Sequence, residues 1–192
     1  MFENTVVLDF ETSGLNPYHD DIIEIGAKIF LKEQEYTTLI KTKKLLDPKI
    51  TSITGITQNM LMKNGVSSRQ AYHGFGEFIR SNCDIKKPIY ILAHNGNSFD
   101  FIFFKKIVKT LQFKLDIRYI DTISVSKFVN PKLYSHKLAT LCHPNIYNIK
   151  NDNAHRAMSD VVATEKIFEK ICADGRHNFN SIEEVYNALE FN

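Results

Sequence analysis

The sequence contains few of the residues that mark unusual classes of protein. Its 192 residues include only 8 Gly, 5 Pro and 3 Cys, which excludes a fibrous repeat and a disulfide-rich scaffold. The three cysteines, Cys83, Cys142 and Cys172, form no C-x-x-C pair, and their odd number and wide spacing argue against a disulfide framework. We therefore expect reduced thiols and an intracellular location, in the cytoplasm or the nucleus.

Long apolar runs and a large excess of one charge are also missing. No stretch approaches the roughly 18 apolar residues of a membrane span, and the start of the sequence, MFENTVVLDF, lacks the regions of a signal peptide. No membrane association is expected. The formal net charge of +2 neither requires nor excludes nucleic acid as a partner. With 43% hydrophobic and 24% charged residues, the chain is expected to form one globular domain over residues 1–192.

The periodicity of apolar residues predicts an α/β fold. Short, β-branched or alternating apolar segments predict strands at 5–10, 22–30, 35–41, 89–93 and 118–121. Amphipathic spacing predicts helices at 58–63, 68–81, 99–113, 124–128, 137–143, 154–173 and 181–189. Asp47 and Pro48 are predicted to open a loop, and Gly175 to end the helix at 154–173. This order indicates a mixed five-stranded β-sheet flanked by α-helices.

Asp9 and Glu11 lie two residues apart at the end of the first predicted strand, so their side chains point to the same face of the sheet. Two carboxylates on one face repel each other, and a divalent cation such as Mg²⁺ or Mn²⁺ between them removes that cost. The alternative is a strand end that reaches solvent. For a D-x-E pair taken alone, that alternative is the more common explanation.

Three further polar residues follow later elements. Asp100 comes after the buried strand at 89–93, and it is either a site residue or a cap of the following helix. His155 and Asp160 lie at the start of the helix at 154–173, with His155 at its entry and Asp160 one turn in, facing the sheet. Taken alone, both are ordinary residues for a helix start. Together with Asp9 and Glu11, they form a set that can hold two cations about 4 Å apart, as phosphoryl chemistry requires.

Three segments in this order resemble the DEDDh family of 3′→5′ exonucleases, in the RNase H-like superfamily. They are VLDFETSGL at 7–15, LAHNGNSFD at 92–100 and HRAMSD at 155–160. IIEIGAKIF at 22–30, SITGIT at 52–57 and YIDT at 119–122 are similar to the family's connecting segments. The second motif has three residues, Gly96, Asn97 and Ser98, where many members have two. That form is similar to the three-prime-repair branch, whereas the first motif and SITGIT are closer to polymerase proofreading subunits.

The resemblance implies a five-residue catalytic site and two divalent cations, Mg²⁺ or Mn²⁺. Asp9, Glu11, Asp100 and Asp160 would hold the metals, and His155 would accept a proton from the attacking water. The product would be a nucleoside 5′-monophosphate. The residues expected to bind substrate, partly through backbone N–H groups, are Thr12, Ser13, Gly14, Leu15, Asn95 and Phe99. For Leu15 and Phe99, simple core packing is the alternative.

The expected partners are nucleic acid 3′ ends, single-stranded or frayed. A polymerase or a replication or repair protein and a second copy of the chain are further expected partners, and the choice between DNA and RNA stays open. The rival interpretation is a catalytically silent module that binds 3′ ends or a polymerase, but the sequence keeps all five site positions. Zinc binding by His136, Cys142, His143 and Cys172 matches no zinc spacing.

Overall fold

A five-stranded mixed sheet forms the centre of the structure, a computed structural model that describes residues 2–173, 177 and 179–190. Its strands are β1 (Thr5–Thr12), β2 (Ile22–Ile29), β3 (Glu35–Leu39), β4 (Ile89–Ala93) and β5 (Ile117–Asp121). The spatial order is β3-β2-β1-β4-β5. The first three strands form an antiparallel meander, and β4 and β5 continue the sheet in parallel with β1. The predicted α/β class and mixed five-stranded sheet are confirmed.

Eight α-helices surround the sheet in the described part of the chain. They are α1 (Pro48–Thr54), α2 (Gln58–Asn64), α3 (Ser68–Asn82), α4 (Asp100–Leu111), α5 (Thr122–Val129), α6 (Leu138–Cys142), α7 (Ala157–Ala173) and α8 (Ile182–Glu190). A short 3₁₀ turn at Gly96–Ser98 leads into α4. Among the described residues, no helix is both long and apolar enough to cross a lipid bilayer.

The alternation of side chains along β1 separates two apolar cores. Val6, Leu8 and Phe10 pack with α3 and α4 on one face of the sheet. Val7 packs on the other face with residues of α5, α6, α7 and α8. Because the two periodic faces of one strand serve different helical layers, β1 is the central element of a three-layer structure.

The helix α1 corrects the prediction of a loop after Asp47. The Asp47 side chain accepts the backbone N–H of Lys49 at 2.8 Å, and Pro48 occupies the first turn. Gly55 ends the helix in the left-handed region, with φ at 69°, and donates its N–H to the carbonyl of Thr51. An Asp cap followed by Pro and a glycine after seven residues are helix signals. The same residues also mark turns, and so short a segment shows too little apolar periodicity to separate the two structures.

The last two helices differ slightly from their predicted bounds. α7 begins at Ala157, three residues later than predicted, and Gly175, predicted to end it, lies outside the described residues. α8 forms as expected: the Glu184 N–H donates to the Ser181 hydroxyl at 3.2 Å, and the Glu184 carboxylate accepts the N–H of Asn180 at 2.7 Å. The predicted cap of α8 is therefore present.

Candidate active site

β1 carries Asp9 and Glu11 on the face that α7 covers. Val7, two residues earlier, packs into the core under α7, and residues 7, 9 and 11 share one face of a strand. Both carboxyl groups are half-buried near the C-terminal end of β1. The pair therefore lies between sheet and helix, and it is not a freely solvated strand end.

Asp160 is buried in the first turn of α7 and completes a group of three. One carboxylate oxygen from each of Asp9, Glu11 and Asp160 lies within 4.8 Å of the other two. We call these three residues the carboxylate cluster. Three oxygen donors at this spacing suit a hard divalent cation such as Mg²⁺ or Mn²⁺.

Asp100 lies beside the carboxylate cluster, at the first position of α4, and it is buried. Its Oδ1 accepts the backbone N–H of Phe10, the residue between Asp9 and Glu11, at 3.0 Å. A place in the first turn suits the helix dipole, but the side chain reaches across to β1. Helix capping therefore does not account for Asp100 by itself.

Burial and mutual repulsion raise the pKa values of three of these carboxyl groups. Burial, and then the charges of Asp100, Glu11 and Asp160, holds the pKa of Asp9 well above its ordinary value. Burial and the nearby Asp160 raise the pKa of Glu11 to about 8. Burial also raises the pKa of Asp100. A site of this kind holds protons near neutral pH unless a cation takes their place.

The backbone of the predicted base, His155, lies just before α7 in an unusual conformation. Its φ of 64° is in the left-handed region, which is costly for a residue with a Cβ. Its backbone N–H donates to Asp160 Oδ2 at 3.0 Å, while the side-chain amide of Asn151 donates to Oδ1 at 2.6 Å. The His155 side chain is exposed, at a cavity of about 440 Å³ that Asp160 also lines. Asp160 thus connects the carboxylate cluster to the loop that carries His155.

The end of β1 and the loop that follows it contain four of the predicted substrate residues, Thr12, Ser13, Gly14 and Leu15. The Thr12 hydroxyl donates to the carbonyl of Gly14 at 2.6 Å, and the Ser13 N–H donates to the carbonyl of Asp21 at 2.9 Å. The amide of Ser13 is therefore engaged within the loop, contrary to its predicted availability for a nucleotide. Leu15 is 81% exposed, so core packing does not explain it.

The two other predicted substrate residues, Asn95 and Phe99, lie in the loop between β4 and α4. Asn95 is exposed, with a left-handed φ of 64°, and its N–H donates to Asp121 Oδ1 at 3.0 Å. The ring of Phe99 is half-buried and its centroid lies 5.1 Å from that of Phe103. Phe99 thus packs at the edge of the core, as the alternative of core packing predicted, and part of its surface remains exposed.

Four residues with roles in this geometry were not singled out from the sequence. They are Glu24, Asp121, Asn151 and Arg156. Asp121 accepts three N–H groups, from Asn95, Asn97 and Ile123, at 2.9 to 3.1 Å, and so fixes the loop before α4. The one signal in the sequence for Glu24 is a charged residue within the apolar strand pattern IIEIGAKIF.

Within the described residues, no second group of His, Cys, Asp and Glu side chains has the spacing of a metal site. Cys142 and Cys172 are buried free thiols in one apolar core. The zinc interpretation, disfavoured from the sequence, receives no support.

The sequence pattern of the RNase T exonuclease family matches residues 6–168, and these include all five predicted catalytic positions. The chain belongs to this exonuclease family. The resemblance to DEDD-type exonucleases of the RNase H-like superfamily is thereby confirmed.

Two relatives show how the family domain occurs in longer proteins. A PolC-type DNA polymerase III of Thermotoga maritima is 37% identical over 97% of this chain and 13% of its own length. A 3′-5′ exonuclease DinG of Staphylococcus aureus is 33% identical over 88% of this chain and 19% of its own length. The chain thus spans less than a fifth of the length of either relative.

Solved structures of exonuclease I share the fold. The structure of E. coli exonuclease I in complex with a dA16 oligonucleotide has a TM-score of 0.69 and 21% identity, covering 95% of this chain and 42% of that chain. Exonuclease I from Methylocaldum szegediense has the same TM-score with 18% identity, over 95% of this chain and 42% of its own. The RNase H-like form of the sheet is therefore confirmed.

Proposed function

We propose that this chain removes nucleotides from the 3′ end of single-stranded DNA by metal-dependent hydrolysis. The observation that carries the proposal is the carboxylate cluster, in which Asp9, Glu11 and Asp160 bring oxygen atoms within 4.8 Å of one another. DNA is chosen because one relative is named as a DNA polymerase. A protein of the same fold is also described in complex with a dA16 oligonucleotide.

The donor set fits two divalent cations, Mg²⁺ or Mn²⁺. Asp9, Glu11 and Asp160 would hold the first, and Asp9 with Asp100 the second. When bound, such cations polarise an attacking water and offset the charge that develops on the leaving 3′-oxygen. The raised pKa values of Asp9, Glu11 and Asp100 support cation binding, because burial leaves these carboxylates short of compensating charge.

His155 would act as general base. Its imidazole would take a proton from the water that attacks the terminal phosphorus, and the bond from phosphorus to the 3′-oxygen would break. The products are a nucleoside 5′-monophosphate and a strand shortened by one nucleotide. The exposed ring and the amide held by Asp160 support this role. The role requires the neutral imidazole, because a protonated ring has no free lone pair to accept a proton.

The exposed Leu15 is proposed to lie against the terminal base, since a large apolar side chain in water next to the site gains by covering a base. Asn95 and the outward edge of Phe99 would line the opposite side of the cleft. Thr12 and Gly14 would shape the loop that presents Leu15.

The test is release of mononucleotides from single strands labelled at the 3′-terminal nucleotide, with Mg²⁺ or Mn²⁺. Asp9→Ala and His155→Ala should each abolish or strongly reduce release. Asp116→Asn and His73→Ala are matched controls, because both residues are exposed and lie outside the site, and both variants should keep full activity. The substrate is decided by comparing release from DNA with release from RNA, from single strands with duplexes, and from matched with mismatched duplex ends. Faster release from RNA would overturn the choice of DNA.

The alternative is a catalytically silent module that grips 3′ ends. It predicts tight binding of a single strand without release of nucleotide under any divalent cation. The carboxylate cluster, the bond of Asp100 to the backbone of Phe10 and the bond of the His155 N–H to Asp160 argue against it. No release by the wild-type chain in Mg²⁺ or Mn²⁺, with binding intact, would establish this alternative in place of the enzyme.

Three features stay predictions: a polymerase or repair partner, a homodimer and an intracellular location. The PolC-type relatives are named as DNA polymerases, so we propose that this domain acts beside a polymerase. Sedimentation of the purified chain would test the homodimer.

A further inference from the structure

Two charged contacts join β2 to α7 and to the residue before it. Near the site, Glu24 on β2 contacts the start of α7. Farther along, Lys28 Nζ on the same strand lies 2.8 Å from Glu165 Oε1 on the same helix. Both glutamates are buried, with 3% and 6% of their surface exposed. The interface thus contains two comparable buried carboxylates, and only Glu24 lies near the carboxylate cluster.

Glu24 makes three hydrogen bonds to the first residues around α7. Arg156 donates from Nη2 to Oε1 at 2.6 Å and from Nε to Oε2 at 3.1 Å, a two-point contact that fixes orientation as well as distance. The backbone N–H of Ala157 donates to Oε2 at 3.0 Å. A side chain from a neighbouring strand therefore satisfies one of the free N–H groups at the start of α7.

The pairing of β1 with β2 places this contact directly beside the carboxylate cluster. Glu24 lies opposite Glu11, and Gly26 lies opposite Asp9. A Cβ at Gly26 would lie 2.6 Å from the carbonyl carbon of Ala157 and 2.7 Å from the nitrogen of Met158. The first turn of α7 consequently rests on the backbone of β2, at the two positions that face the metal-binding residues of β1.

His155 is held from both sides by this arrangement. Its own N–H is bound by Asp160, and the two residues that follow it, Arg156 and Ala157, are bound by Glu24. A left-handed residue with a side chain persists only where its surroundings determine its conformation. Glu24 also puts a further negative charge beside the carboxylate cluster. An apolar contact would avoid that cost if stability alone mattered.

We propose that Glu24 is a positioning residue: through Arg156 and the N–H of Ala157, it sets the orientation in which His155 meets the attacking water. This inference rests on the proposed role of His155 as base. Glu24 is not a member of the carboxylate cluster.

The first measurement compares Glu24→Gln with Glu165→Gln. Glu24→Gln keeps the size of the side chain but removes its charge and one acceptor oxygen. It should lower kcat by about 10- to 100-fold, the usual effect of losing a partner that orients a site residue, with KM for single-stranded DNA within about twofold of wild type. Glu165→Gln disturbs the same two elements, and it should lower the melting temperature while leaving kcat within about twofold. An equal loss of kcat in both variants would show a general effect of the interface and overturn the proposal.

The second measurement is a double-mutant cycle with His155→Ala. If Glu24 acts through His155, adding Glu24→Gln to His155→Ala should change kcat by less than about twofold, because the group being oriented is already gone. A further loss of 10-fold or more would overturn the proposal. Activity of His155→Ala within about twofold of wild type would instead reject the base assignment, and inactivity of the wild type would reject the enzyme.

Metal affinity distinguishes a role of Glu24 in positioning His155 from an effect on the carboxylate cluster. Titration with Mn²⁺ alone should give affinities within about threefold of each other for Glu24→Gln and wild type, the small change expected from removing a nearby negative charge. A 10-fold weaker affinity would show that Glu24 acts on the carboxylate cluster, against the proposal. If Glu24→Gln does not fold, Arg156→Lys provides the same cycle, since it keeps the charge but loses the two-point contact. It should lower kcat with an unchanged KM, and an unchanged kcat would overturn the proposal.

Discussion

Six buried or half-buried carboxylates in and beside the site fall into two groups with different compensation. Glu24 and Glu165 each bind a cationic side chain of the chain itself, Arg156 at 2.6 Å and Lys28 at 2.8 Å. Asp9, Glu11, Asp100 and Asp160 lie a short distance away, and within the described residues no ion pair includes any of them. The positive charges of Arg156 and Lys28 neutralise the first group, whereas the second group has no cationic partner at ion-pair distance among the described residues. The difference indicates that the second group takes its positive charge from outside, as a metal site does.

Asp9→Asn, in the group without cationic partners, should give the largest effect, a loss of nucleotide release. Asp9 has both Asp100 and the other members of the carboxylate cluster as neighbours, and loss of its charge removes several kcal/mol of stabilisation of the transition state, so release should fall by about 1000-fold or more. The measurement is single-turnover release from a labelled strand. Folding should be preserved, because the substitution relieves repulsion. Activity within 10-fold of wild type would contradict the proposed metal site.

Lys28→Met, which removes the cationic partner of Glu165, should lower the stability of the fold. It leaves Glu165 buried without its cation, which costs about 3 kcal/mol and lowers the melting temperature by roughly 6–12 °C for a chain of this size. Thermal unfolding measures this change. Nucleotide release, assayed well below the melting temperature, should stay within about twofold of wild type. A large loss of activity there would mean that the two groups are not independent.

The metal-free protein should become less stable as pH rises, because of the raised pKa values of Asp9, Glu11 and Asp100. The folded pKa values of Asp9, Glu11 and Asp100 are raised above their ordinary values, so the folded state binds protons more tightly than the unfolded state. Their contribution to stability is complete below the ordinary values near 4. It is lost as pH rises toward the raised value of Glu11, about 8. The melting temperature in a chelator should therefore fall over this range.

Mn²⁺ supplies the control for the pH experiment. With saturating Mn²⁺ the fall should largely disappear at the alkaline end, because the cation stabilises the ionised carboxylates. Glu11→Gln should flatten the profile in the chelator. A melting temperature that rises from pH 4 to pH 8 without metal would contradict the uncompensated state of these groups.

Leu15→Ala should give the smallest effect. Leu15 is 81% exposed, so its removal should leave the melting temperature within about 1 °C. If it lies against the terminal base, KM for single-stranded DNA should rise by roughly 3- to 10-fold, as expected for a lost apolar contact. Leu31→Ala, also exposed but in the turn after β2, is the matched control and should leave KM unchanged. Equal KM values for the two variants would remove Leu15 from the substrate site.

Much of the fold was predictable because its signals are local. The strands β1 and β2 and the Ser181 cap of α8 depend on residues a few positions apart, and the structure shows each of them. The helix α1 was missed, although its cap signals are equally local, because Asp-Pro and Gly also mark turns. The start of α7 was misplaced because apolar periodicity does not register the left-handed conformation of His155.

The sequence by itself determined which residues share a face and which family segments are present: Asp9 and Glu11 point the same way because a strand alternates. Only the tertiary structure decided how that pair is completed. Asp100 reaches the backbone of Phe10 from 90 positions away, and Glu24 holds Ala157 across 133 positions. Contacts at such separations depend on the packing of whole strands and helices, which no local pattern encodes. The carboxylate cluster can be predicted from its parts, whereas the support of His155 by Glu24 depends on the packing of β2 against the start of α7.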